Sequence, residues 1–224
     1  METLGLVGDG DDVDLLRSVE SSFDVQFGDE VAAWRTVGDV YEALLVHLDT
    51  STERGLCATS MAFYRLRAVL VGHGAEPSLI QPSARLAELA PHGPRRLFAQ
   101  VGNAMSVSGP PITMSWWGCG GALLTLLGLV AGLRAFSGVL PWPWILLVPA
   151  GVLMVKVDPG AYGVMSVGGL AKSIAIRNFA HFSAEGADMR PESVWRTLCE
   201  LVAEEVDIDP SNVGPKTRLL WKVT

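Results

Sequence analysis

Ile112–Leu133 reads ITMSWWGCGGALLTLLGLVAGL, and Val139–Val155 reads VLPWPWILLVPAGVLMV: two uncharged apolar runs of 22 and 17 residues. About 20 apolar residues let a helix cross the hydrocarbon core of a bilayer. The first run is therefore predicted to span the membrane, and the second to return through it. Arg134–Gly138 lies between them and is assigned as the turn. Pro141 and Pro143 stand at the start of the second run and Pro149 within it. A proline removes a backbone donor and kinks an interior helix, so Pro149 is read as a bend. Trp116 and Trp117 open the first run, and Trp142 and Trp144 the second, where interfacial aromatics belong. Gly128 and Gly132 form a GxxxG, which favours close helix packing. They are expected to pack against the second span or against a second copy, giving a homodimer. No ionisable residue lies deep in either span, which argues against a transport pathway.

Outward from the hairpin, charge is unevenly distributed. The first 54 residues hold 13 acids and 3 bases, whereas residues 55–110 carry five bases and two acids. The chain as a whole has a net charge of −7. No basic face suggests nucleic acid as a partner. Met1 is followed by an acidic stretch rather than a basic one and an apolar run, so the first span is expected to direct insertion. Arg95, Arg96 and Lys156 flank the outer ends of the hairpin and only Arg134 the turn. The positive-inside rule then gives a multi-pass protein of the cell membrane with both termini cytoplasmic. Cys57, Cys119 and Cys199 are dispersed and odd in number, so they suggest neither a disulfide framework nor a metal site. His47, His73, His92 and His181 show no ligand or triad spacing. Glu204 and Glu205 are consecutive and are predicted to face apart on a helix. No cofactor is implied.

In the flanks, Val13, Leu15, Leu16, Val19 and Phe23 recur at helical spacing. Asp11 or Asp12 is placed to cap that helix. Thr36 caps a second helix, with apolar residues at 37, 40, 41, 44 and 45. Further amphipathic helices are predicted from near Phe63 and near Val194. A repeat ties the flanks together: Pro77–Leu86 (PSLIQPSARL) and Pro210–Leu219 (PSNVGPKTRL) share P-S-x-[IV]-x-P-x-x-R-L. Thr36-Val-Gly-Asp-Val40 likewise has a counterpart in Ser166-Val-Gly-Gly-Leu170. Two helix–helix–loop units, one on each side of the hairpin, are the simplest reading. The expected architecture is all-α. Its segments are 1–54 (acidic and helical), 55–110 (helix and first repeat), 111–156 (transmembrane hairpin) and 157–224 (second repeat).

Leu4-Gly5, the helix Val13–Phe23, the connector Asp24–Glu30 and Thr36-Val-Gly-Asp-Val40 together resemble the second half of an acyl carrier protein. The helix from Val194 with Val206–Leu219 resembles that family's first half, so the halves stand in permuted order with the hairpin between them. The resemblance implies small helical bundles that dock on partner enzymes through an acidic helix. In the family, a serine at the start of this helix carries phosphopantetheine. Here the position falls near Asp9, and no serine occurs from Met1 to Arg17, so carrier activity is not expected. Asp9 and Glu20 also have the outer spacing of a calcium loop, but Asp14 replaces its glycine. Asp9, Asp11, Asp12, Asp14 and Glu20 are thus candidates for contact with cytoplasmic protein partners, in a non-catalytic module scaffolding lipid or acyl-chain enzymes. The alternative is a membrane enzyme or lipid-handling protein with an interfacial site built from His92, Arg95, Arg96 and the second repeat.

Overall fold

The computed structural model describes residues 3–6, 11–89, 101–105, 107, 116–136, 146–157 and 165–220, and it is mostly helical. The principal helices are α1 (Asp11–Phe23), α2 (Val37–His47), α3 (Ala58–Gly72), α4 (Trp116–Phe136), α5 (Leu147–Val157), α6 (Val167–Arg177), α7 (Phe179–Ala184) and α8 (Pro191–Val206). Short strands β1 (Thr3–Leu6) and β2 (Arg218–Leu220) pair in parallel, an element that apolar periodicity did not predict. Contacts divide the chain into two units. One comprises Met1–Gly74, Val101–Pro110 and Gly168–Thr224; the other comprises Ala75–Gln100 and Pro111–Val167.

In the first unit, segments from the two ends of the chain share one core. Leu15, Val19 and Phe23 of α1 meet Val37, Val40 and Leu44 of α2 and Val194, Leu198 and Val202 of α8. The spacing of these residues at three and four is what lets each helix bury a single stripe. The Phe23 and Phe179 rings lie 5.2 Å apart, and Tyr41 meets Trp195 edge-on at 5.1 Å. Thr36 and Asp39 form a reciprocal capping box that starts α2. Pro191 occupies the first turn of α8, where its missing N–H costs nothing; α8 accordingly starts three residues before Val194. The α3 helix begins at Ala58, five residues before Phe63, with Cys57 as its N-cap.

An ion-pair network joins three helices of this unit. Arg177 bonds Glu204 at 3.1 Å and Glu205 at 2.9 Å. Ser173 donates to Glu204 at 2.6 Å, and Ser18 to Glu205 at 2.9 Å. Glu204 and Glu205 therefore do not act apart, as their adjacency on a helix suggested. Arg177 is long enough, and its guanidinium broad enough, to take both carboxylates from one side.

The repeated motifs close in an exchanged way. Val37 N–H donates to Thr217 at 2.9 Å, and Leu219 N–H to Arg35 at 3.1 Å. In the second unit the equivalent bonds recur: Val167 N–H to Ala84 at 2.9 Å and Leu86 N–H to Met165 at 3.1 Å. Antiparallel bridges Thr36↔Arg218 and Arg85↔Ser166 sit at matching places. Each repeat loop is thus held by the helix start lying on the opposite side of the hairpin in sequence. The two helix–helix–loop units expected one on each side of the hairpin are therefore not closed within themselves.

The second unit contains α4 and α5, which pack antiparallel. Gly121 faces Gly151 and Met154, and Gly128 faces Leu147 and Val148. A Cβ on Gly128 would lie 2.7 Å from the Val148 nitrogen, so the small residues permit close approach. The α4 helix runs through Arg134 to Phe136, so the first three residues assigned to the turn are helical. No glycine or proline stands between Gly132 and Gly138, and a base in the last turn suits the helix dipole. Pro149 is the third residue of α5 rather than a bend, because a first-turn amide has no intrahelical acceptor to lose. Trp116–Arg134 is long and apolar enough to cross a membrane, and is the one such helix among the described residues. Trp116 is 89% exposed and Leu133 75%; a helix apolar all round is suited to lipid. Residues 112–115 of the first run, and 139–145 of the second with Pro141, Trp142, Pro143 and Trp144, lie outside the described residues.

Candidate functional site

The acidic helix α1 is the candidate interaction surface. Asp11 and Asp12 form its first two residues; Asp9 lies outside the described residues. Asp14 is exposed and pairs loosely with Arg17 at 3.6 Å, a surface contact worth little in water. Glu20 behaves differently. Its carboxylate accepts the Phe27 amide at 2.9 Å, and its carbonyl accepts the Val25 amide at 3.1 Å. Glu20 therefore fastens the connector that follows α1, which its spacing from Asp9 did not reveal. Asp24 ends the helix in the left-handed region (φ 51°), a conformation that aspartate tolerates better than most residues.

Of the three hydroxyls of α1, Ser21 is exposed in the last turn and the other two are committed. Ser18 donates to Glu205, and the buried Ser22 donates to the Ile176 carbonyl. The first turn of α1 carries carboxylates and no hydroxyl. These residues do not fit a phosphopantetheine attachment. Ser60 lies in the first turn of α3, whose N-cap Cys57 makes no side-chain capping bond. Burial works against the Cys57 thiolate, but the polar groups of Ser60 and Thr59 at the start of α3 outweigh it and hold the thiol below its ordinary pKa. Cys57 is exposed, whereas Cys199 is buried and pushed up to about 11 by desolvation, with help from Glu200.

Under α1 lies an apolar cavity of about 130 Å³. Its wall includes Leu15 and Val19 of α1, Val37 and Val40 of α2, and Leu198 and Val202 of α8. Val13, Leu16, Val31, Trp34 and Leu219 complete the lining nearer the surface. None of these side chains is ionisable. The Trp34 ring is fixed by an edge contact with Phe27 at 4.8 Å. Apolar periodicity placed several of these residues on buried stripes, but not around a void.

The other sequence candidates are dispersed. Gly128 packs within the hairpin, and Gly132 is half-buried on the same helix. His92, Arg95 and Arg96 lie outside the described residues. His181 contacts Arg65 at 3.3 Å and Glu185 at 3.5 Å, with Arg65 stacked over Phe182. His47 pairs with Glu30 at 3.6 Å. Among the described residues, no three His, Cys, Asp or Glu side chains are grouped as metal ligands. The chain matches no known family description, no curated protein and no solved structure.

Proposed function

We propose that the chain is a membrane-anchored, non-catalytic interaction module resembling a permuted acyl carrier protein, which presents the acidic start of α1 to a basic cytoplasmic partner. The observation that carries this reading is the shared core of α1, α2 and α8. The permuted order requires the first and last segments of the chain to meet, and their meeting supports it. The acids at 11, 12 and 14 favour a basic partner through electrostatic complementarity, which acts mainly on specificity and association rate. The same reading makes α4 and α5 a two-span hairpin in the cell membrane, with both flanks cytoplasmic. Their packing through Gly121, Gly128 and Gly151 supports a hairpin.

Two measurements test the proposal. Intact-mass spectrometry after co-expression with a phosphopantetheinyl transferase should return the unmodified mass. Reversing Asp11, Asp12 and Asp14 to lysine should abolish salt-sensitive capture of a purified basic partner enzyme. A gain of one prosthetic arm, or capture indifferent to the reversal, would overturn the reading.

A further inference from the structure

The helix α3 differs from the other helices of its unit in what it turns outward. Ala62, Leu66 and Leu70, spaced by four, form its buried stripe. Tyr64 and Val71 follow Ala62 at positions that a helix of 3.6 residues per turn places on its opposite face. They are 65% and 40% exposed. Ser60 and Ala68 are exposed on the same face, and Leu56, just before the helix, is 62% exposed.

We propose that this outward face of α3 rests on the anionic headgroup surface of the bilayer, as a second, non-spanning contact of the chain with the membrane. The inference rests on the membrane-anchored reading above. Two observations carry it to this occupant.

The first is concentration. Among the described residues of the first unit, the exposed large apolar side chains are Val13, Val46, Leu56, Tyr64 and Val71. Three of the five fall between positions 56 and 71. Single exposed apolar residues are ordinary, whereas a gathered patch marks a contact surface. Helices that lie in the interface bury one apolar face at the boundary between headgroups and acyl chains. Tyrosine suits that depth, with its ring toward the chains and its hydroxyl in water.

The second is charge. The helices α1, α2 and α8 each carry acids, and the chain's net charge of −7 opposes approach to an anionic surface. No Asp or Glu stands from Gly55 to Ala75, a stretch that holds Arg65, Arg67 and His73. Glu53 and Glu76 are exposed only beyond its two ends. Arg65 is turned into the unit, paired with Glu185 and stacked over Phe182 at 5.3 Å. Arg67 lies one turn on from Tyr64, beside the outward stripe. An arginine there keeps its stem against apolar surface and its head among phosphates. The α3 face is thus where an otherwise acidic unit can meet an anionic leaflet, the sign that cytoplasmic leaflets carry.

The test uses the full chain in nanodiscs of phosphatidylcholine, alone or mixed with phosphatidylglycerol. Cys57→Ser and Cys119→Ser form the background, and a nitroxide is attached to one introduced cysteine: Ser60→Cys on α3, Ser21→Cys on α1 or Leu123→Cys on α4. Accessibility to oxygen relative to a water-soluble nickel complex reads depth. In the anionic nanodiscs this ratio should be several-fold higher at Ser60→Cys than at Ser21→Cys, and in phosphatidylcholine alone it should fall toward the Ser21→Cys value. Val71→Asp should bring the same fall with the Tm unchanged. A Ser60→Cys label as wet as the Ser21→Cys label in anionic nanodiscs, or equally deep in both lipids, would overturn the proposal. Should Val71→Asp fail to fold, the comparison of the two lipids decides. The Leu123→Cys label separates the two ways of failing. Lipid depth there with a wet Ser60→Cys label removes the α3 contact alone, whereas a wet Leu123→Cys label removes the membrane anchor as well.

Discussion

Gly38 shows how a single residue can be fixed by a distant backbone. Its amide donates to the Pro215 carbonyl at 3.1 Å, and a Cβ added there would stand 2.6 Å from that same oxygen. The glycine of Thr36-Val-Gly-Asp39 is therefore required by close approach. Gly38→Ala is expected to destabilise the first unit by about 1–3 kcal/mol, the usual cost of forcing extra atoms into a packed site; denaturant titration measures it. The cysteines provide a second test at this scale. Only the thiolate attacks an electrophile, and Cys57 is both exposed and shifted toward it, while Cys199 is neither. Iodoacetamide at pH 8 should label Cys57 well before Cys199, as read by peptide mass spectrometry. Equal labelling of the two would contradict the geometry.

At the scale of elements, glycines divide sharply by what they face. Gly151 faces Gly121 and Thr125 across the hairpin, whereas Gly120, on the same helix as Gly121, has nothing within 4 Å of an added Cβ. Gly151→Leu should separate α4 from α5 and lower the stability of the hairpin by about 1–3 kcal/mol. Gly120→Leu should leave it nearly unchanged. Thermal unfolding of the two variants in nanodiscs makes the comparison, and equal effects would mean that the helices do not meet through this face. The caps are another feature legible in the sequence. Thr36 announced the start of α2, because capping uses groups within four residues of one another; Pro191, which opens α8, is passed over by a reading that starts the helix near Val194. Arg177 is the contrary case. Its two carboxylate partners lie 27 and 28 residues away, and no local pattern joined them.

For the whole molecule, acid is the informative variable. The Arg35 amide, with the Thr36 amide and hydroxyl, holds the Asp39 carboxyl below the ordinary aspartate range. The Arg190 guanidinium does the same, more strongly, for Asp188. Depressed folded-state pKa values mean that the unfolded chain binds protons first. The stabilisation from both groups is present above about pH 4 and lost as the pH falls through their folded values. Stability should therefore be level between about pH 5 and 7 and decline below about pH 4. Asp39→Asn should begin about 1 kcal/mol lower, the typical worth of a cap, and show a shallower acid decline. Urea titrations across this pH range read both quantities; an unchanged acid decline in Asp39→Asn would remove Asp39 from the account.

The sequence by itself determined an apolar helix, read over Ile112–Leu133 and found over Trp116–Phe136, together with α1, α2, α3, α8 and the repeated loops. Each of these is written in composition or periodicity over a few turns. Only the tertiary structure decided that the repeat loops are exchanged, that Glu204 and Glu205 converge on Arg177, and that Glu20 secures a connector. It alone placed a cavity where α1, α2 and α8 meet. The physical reason is separation along the chain. Val19 and Val202 line the same space while standing more than 180 residues apart. An apolar stripe specifies that a face will be buried, not which distant stripe will cover it or how completely the two will fill the space between them.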